Sequence, residues 1–366
     1  MKQLVLLGGG HAHIHVLQDL ARLALPACQL TLVSPFDDFV YSGMVPGFVA
    51  GHYRLDDCRI PLARLATAAK VRFVVDQAAG LDAASRGVTL ASGETLRYDV
   101  LSIDTGPVID RDAVPGAREH ALFVRPMERF VQLWGSLLQL AQQRSLSIVV
   151  VGAGAGGVEL AMALQYRLGG RARVTLLTGG PPVLADHSAA VQQRAVEALK
   201  RLAITVLRDS CREIDAAHVR LASGARLVCD APLLAIGTSA PAWLHGSGLA
   251  LDGQGFVATT ATLQSASHPD VFAAGDVASR ADAPRPKSGV YAVRAGPPLA
   301  LNLRRFVAGG QLEPYVPQPR SLNLLSCGAR RAIASYGDWS AEGRWVWWWK
   351  DWIDRGFVKR FAARSA

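Results

Sequence analysis

The chain has 366 residues, half of them apolar and 19% charged, which excludes a disordered polymer and suggests two or three domains. Thirty-nine basic against 30 acidic residues leave a net charge of +9, compatible with nucleic acid, an anionic membrane or phosphate-bearing cofactors. No Lys/Arg block reads as a nucleic-acid arm, no run of 18 apolar residues is present, and Leu4–Leu7 is too short for a signal-peptide core; no nucleic-acid partner and a cytoplasmic location are expected.

Taken from the N-terminus, Leu4–Leu7 predicts a buried strand, and Gly8, Gly9 and Gly10 a tight turn. A helix follows from His11, then a second strand at Thr31–Ser34. The same order returns 144 residues later, with Ile148–Val151, then Gly152, Gly154, Gly156 and Gly157, a helix, and Thr175–Thr178. This is a duplicated βαβ unit. Its first glycine permits the turn, the second lets backbone approach a pyrophosphate, and the third lets the helix pack with its N-terminal amides aimed at the phosphates. One copy is weak evidence, since buried strand–turn–helix units use glycine for structural reasons. Two copies at one spacing point to two dinucleotide sites.

Several positions depart from the motif. His13 stands where the third glycine of the first copy belongs, so it either loosens the helix–strand contact or lies against the cofactor. His11, His13 and His15 have no supporting Cys or carboxylate cluster nearby, and no metal site is expected. Ser34 and Thr178 replace the acid that commonly holds a ribose hydroxyl. The hydroxyl of Ser34 can still contact the adenosine ribose, whereas Thr178 leaves NADH and NADPH undistinguished; Arg171 and Arg173 lie near it. The five cysteines (Cys28, Cys58, Cys211, Cys229, Cys327) include no C-x-x-C pair, which argues against a disulfide framework or a close-spaced dithiol.

Three further segments extend the pattern. Tyr98–Gly106 looks like the strand-to-loop motif closing the first half of a two-dinucleotide flavoprotein, and Cys229–Gly237 like its counterpart. His268–Asp276 resembles a flavin motif whose aspartate binds the ribityl chain. Together these resemble the pyridine-nucleotide–disulfide oxidoreductase family, and within it the type II NADH:quinone oxidoreductases. Tyr41–Gly47, Pro286–Arg294, Ser321–Leu325 and Trp349–Asp354 resemble more closely the branch that occurs alone or fused to selenophosphate synthetase.

The resemblance implies an α/β fold with two Rossmann-like domains. Residues 1–115 and 255–305 would form a discontinuous FAD-binding domain, with an NAD(P)-binding domain at 116–254 inserted and a C-terminal region at 306–366. Pro and Gly at Val114–Gly116 and Gly253–Gly255 suit the crossings. FAD would be held by Gly8, Gly10 and His11 at the pyrophosphate, Ser34 at the ribose, Ala78 at adenine and Asp276 at the ribityl hydroxyls. Pro46 would lie beside the isoalloxazine, with Thr105, Gly106 and Lys287 completing the shell. A helix at about 289–303 would point its N-terminus at the flavin. NADH or NADPH would lie on Gly152, Gly154 and Gly157, with Glu159 lining the nicotinamide side and Thr178 and Gly237 completing that site. Without a structural role beside nicotinamide, Glu159 would be a solvent-facing first-turn residue favoured by the helix dipole. The flavin does the chemistry, so no catalytic side chain is expected.

Residues 34–60 offer only Cys58, so a dithiol route is not expected, and the resemblance to the type II enzymes implies a quinone acceptor. The two glutamines of the family's quinone motif are absent, however; Val290 and Arg294 stand at their positions. Alternatives are a sulfide- or selenium-linked oxidoreductase, suggested by Cys327, and a flavin redox sensor without turnover. Finally, Trp345, Trp348, Trp349, Trp352, Ile353, Phe357 and Phe361 fall on one helical stripe. Arg344, Lys350, Arg355, Lys359, Arg360 and Arg364 surround it. Residues 344–361 are therefore expected either to lie on an anionic membrane, making the protein peripheral on its cytoplasmic face, or to pack on the protein itself or on a second copy in a homodimer.

Overall fold

The computed structural model describes residues 1–26 and 28–362. Two parallel five-stranded sheets carry the molecule. In the first, the order across the sheet is Val271–Ala273, Val100–Ile103, Lys2–Leu7, Cys28–Ser34 and Arg72–Val75. In the second it is Leu122–Phe123, Ala231–Leu234, Leu146–Val151, Ala172–Leu177 and Thr205–Leu207. The inner strands, such as Leu4–Leu7 and Ile148–Val151, are buried on both faces, as parallel strands covered by helices must be.

The duplication holds to the level of single hydrogen bonds. Lys2 pairs with Cys28 and Leu146 with Ala172, in the same register. The Gly8 amide donates to the Val33 carbonyl at 2.8 Å, and the Gly152 amide to that of Leu177 at 2.9 Å. Each half also has a carboxylate at one strand edge: Asp99 accepts from the Gln3 amide and Asp230 from the Ser147 amide, both at 2.7 Å. Each half carries a three-stranded antiparallel meander, at 78–97 and at 211–228.

In each half the first glycine turn leads into a helix, His11–Arg22 or Ala155–Leu168. The strand order reverses beside that turn, the position where open α/β sheets bind ligands. A helix at Gly289–Val307 packs along His11–Arg22. Gly296 makes this close approach possible, because a Cβ there would lie 2.7 Å from the His15 side chain. Beyond it, the antiparallel strands Asn323–Ser326, Ala332–Tyr336 and Trp339–Gly343 lead into a last helix, Arg344–Ala362.

That helix is not organised as the sequence pattern suggests. Its buried face is Val346, Trp347, Lys350, Asp354, Val358 and Phe361. Phe357 and Phe361 pack inward on His11, His15 and Tyr41. Lys350 belongs to the interior rather than to a solvated basic rim, because Asp354 one turn later pairs with it at 2.7 Å. Trp345, Trp348 and Trp352 remain outside. Arg364 lies outside the described residues.

Candidate dinucleotide sites

At the first turn, Gly8 has a φ of +95°, and a Cβ there would stand 2.5 Å from the Asp104 carbonyl. Among the described residues the amides of Gly10 and His11 find no acceptor, as expected where a helix N-terminus awaits an anion. The next two amides, of Ala12 and His13, donate to the Asp104 carboxylate at 2.7 and 2.9 Å. Burial pushes the Asp104 carboxyl up to about 8, against the pull of those amides.

His13 is fully buried and does not reach into the cleft. Its Nδ1 lies 2.6 Å from the Gly8 carbonyl and its Nε2 2.8 Å from Ser102 Oγ, so the imidazole ties turn to sheet. Burial holds it neutral, down to about 4.

Ser34 is buried, its hydroxyl donating to the Phe36 carbonyl at 3.1 Å. Ala78 opens the meander strand. Thr105 and Gly106 lie on the loop after Val100–Ile103, and a Cβ at Gly106 would meet nothing within 4 Å. Pro46 is buried in the short helix Val45–Val49. Asp276 sits 3.7 Å from the Arg125 guanidinium; burial raises its carboxyl, while Arg125 and Lys287 draw it back. The Lys287 ammonium donates to the Ala278 carbonyl at 2.5 Å and lies 3.9 Å from the Phe256 ring centre. His11 Nε2 is buried with no partner, and a Cβ on Gly289, at the start of the helix Gly289–Val307, would lie 3.4 Å from it.

These features fit a bound dinucleotide: free helix amides, an unpartnered imidazole nitrogen and open space beside Gly106 converge on one turn. The second half is cleaner. Among the described residues the amides of Gly154, Ala155 and Gly156 have no acceptor, and a Cβ at Gly154 or Gly237 would meet nothing within 4 Å. Gly157 is the close-packing position, where a Cβ would collide with the Gly152 carbonyl. Ala235 stands at the place that Asp104 holds in the first half, since both amides bond the end of the central strand. Thr178 is buried, its Oγ1 accepting from the Gly180 amide at 3.3 Å.

Glu159 lies in the second helical turn rather than the first, and it is half-buried rather than free in solvent. It accepts from the Ser326 amide of the C-terminal sheet at 2.7 Å. Burial pushes it up to about 7, opposed by nearby Lys350. Lys350 in turn donates to the Gly43 carbonyl at 2.8 Å. Glu159, Lys350, Asp354 and Tyr41 thus draw the second half, the last helix and the segment 41–47 together. Asp104 carried a signal in sequence, a carboxylate directly before Thr105-Gly106. Arg125 carried none, and the one-turn spacing of Lys350 and Asp354 gave no sign that the pair is buried.

Two nucleotide clefts on twin parallel sheets, one of them reached from a C-terminal lobe, define a two-dinucleotide oxidoreductase. The chain belongs to the pyridine nucleotide-disulphide oxidoreductase family, whose model matches residues 2–296, and is an FAD-dependent enzyme that uses NADH or NADPH. It is similar to the demethylphylloquinone reductase of Synechocystis sp., with 26% identity over 91% of this chain and 86% of that protein. It is also similar to a type II NADH:quinone oxidoreductase of Staphylococcus epidermidis, with 23% identity over 91% and 89%. Among solved structures, the sulfide:quinone oxidoreductase of Aquifex aeolicus superposes with a TM-score of 0.82 at 20% identity, covering 99% of this chain and 92% of that one. The NDH2 of Plasmodium falciparum, solved in complex with NADH, gives 0.81 at 13% identity, covering 100% and 99%. These two show the shared fold.

The family's disulfide is not built here. All five cysteines are free. Burial pushes the Cys58 thiol up to about 12 and raises that of Cys327 as well.

Proposed function

We propose that this protein oxidises NADH or NADPH and delivers the electrons to a quinone at a membrane surface. The carrying observation is the set of unpaired amides at a helix N-terminus in each half, Gly10 and His11 in one and Gly154 to Gly156 in the other, combined with a single thiol, Cys58, in segment 41–58. Bound FAD supplies the hydride-accepting and electron-donating chemistry. Residues 1–115 and 255–305 would bind it, 116–254 would bind the nicotinamide, and 306–366 would form the acceptor end.

The chain's own residues then bind and orient. The amides of Gly10 and His11 would hold one pyrophosphate, and those of Gly154 to Gly156 the other. Asp276 would accept the ribityl hydroxyls once these displace the loose Arg125 contact. Glu159, titrating near neutrality and lodged beside Lys350, is suited to hold or release a proton at its carboxyl as the acceptor is reduced. A thiol-mediated sulfide or selenium route is disfavoured, since buried thiols with raised values are poor nucleophiles.

Anaerobic mixing with NADH or NADPH should bleach the flavin, and a lipophilic quinone should restore its colour faster than polysulfide or selenium compounds do. No bleaching by either nicotinamide would sink the dehydrogenase reading. Bleaching followed by preferential reoxidation with polysulfide would sink the quinone.

A further inference from the structure

A second kind of site lies at the far end of the helix Ala155–Leu168. Its 14 residues put that end about 20 Å from the nucleotide amides. There an open pocket of about 660 Å³ is lined by His52, Tyr166, Arg167, Arg330, Arg331 and Arg344, with no carboxylate in its lining. Arg331 is paired with Glu342 at 3.2 Å. Arg167, Arg330 and Arg344 form no ion pair with any described residue.

Two further observations separate this pocket from an ordinary basic surface. The turn presenting Arg330 is strained. The Arg331 amide donates to the Gly328 carbonyl at 2.9 Å, with Ala329 at φ 41° and Arg330 at φ 52° between them. Such left-handed pairs normally use Asn-Gly, and strain retained in non-glycine residues is characteristic of functional sites. In addition, His52 Nε2 is buried and has no hydrogen-bond partner.

We propose that this pocket binds a phosphate group, either free or as the headgroup of an anionic lipid. Convergent guanidiniums without counter-ions repel one another until an anion joins them, and their planar forks match phosphate oxygens. The rim connects to the outer aromatic face. Arg330 lies 5.6 Å from the Trp347 ring centre and Arg344 5.9 Å from that of Trp348, and Trp348 is 58% exposed. The assignment does not depend on the electron acceptor.

Trp347 and Trp348 offer the readout. Titrating the holoprotein with inorganic phosphate, against chloride at matched ionic strength, should give a saturable change in tryptophan fluorescence. The double variant Arg330→Gln/Arg344→Gln should weaken it at least about tenfold, while flavin content and bleaching by nicotinamide stay unchanged. If phosphate also displaces the holoprotein from phosphatidylglycerol vesicles, and the variant binds those vesicles more weakly, the source is a headgroup. If phosphate binds without displacing vesicles, the source is the free anion. Phosphate acting no differently from chloride overturns the proposal whatever the vesicles show, as does full retention of phosphate binding by the variant.

Discussion

Gly154 and Gly157 stand three residues apart and serve different ends. A side chain at Gly157 strikes the Gly152 carbonyl, whereas one at Gly154 enters empty space from an ordinary extended backbone at φ −71°. Gly154→Val should therefore fold, retain flavin and melt as the wild type does, yet lose at least about tenfold in nicotinamide affinity, because the branched side chain occupies the pyrophosphate's place. Anaerobic flavin bleaching at rising NADH measures this, and unchanged affinity would remove the second repeat from the site. Asp104 yields a prediction in pH. Its carboxyl, near 8 in the folded chain, stands above the unfolded value of about 3.9. The native state thus binds the extra proton, and this group's contribution to stability falls as pH rises from about 4 through about 8. Asp104→Asn cannot ionise, so the melting temperature of the variant apoprotein should gain on the wild type between pH 5 and 8. A difference that stays constant across that range would mean that Asp104 keeps its charge.

At the scale of the element, the last helix shows why a periodic pattern misleads. Lys350 and Asp354, spaced one turn apart, resemble an exposed helical pair, but both are buried and the Lys350 ammonium also donates to the Gly43 carbonyl. Removing one partner of such a pair leaves an uncompensated charge and costs about 3–5 kcal/mol, whereas replacing both by apolar groups is often near neutral. Lys350→Met should accordingly lower the denaturant midpoint sharply, and Lys350→Met/Asp354→Leu should restore most of it. Equal losses in the two variants would show that the contact with Gly43, not the charge pair, holds the helix.

At the scale of the whole molecule, the last helix turns an aromatic face outward. Among the described residues no helix is long and apolar enough to cross a membrane. Trp345, Trp348 and Trp352 are nevertheless 50%, 58% and 75% exposed on one side of one helix, more aromatic surface than a water-facing helix needs. With Arg344 and Lys359 also exposed nearby, this face suits the headgroup layer, where each fully inserted aromatic adds up to about 1.5–3 kcal/mol. Changing all three tryptophans to alanine should abolish flotation with anionic vesicles and leave bleaching by NADH intact. If flotation persists while a dimer is lost, the face is a subunit contact.

Sequence by itself determined the two clefts, because a strand, a glycine turn and a helix are contiguous in the chain and each residue's conformational demand can be read locally. The 144-residue repeat then doubled the signal. Tertiary structure alone decided what the departures mean. His13 became a tie between Gly8 and Ser102, Asp104 a cap on the helix that follows the first turn, and Glu159 a bridge to Ser326. The tryptophan helix turned Lys350 inward. Each of these depends on a partner between 4 and 307 residues away, and side-chain polarity does not specify which group will meet it. Burial and hydrogen bonding are properties of the packed chain, so they become definite only when the elements have docked.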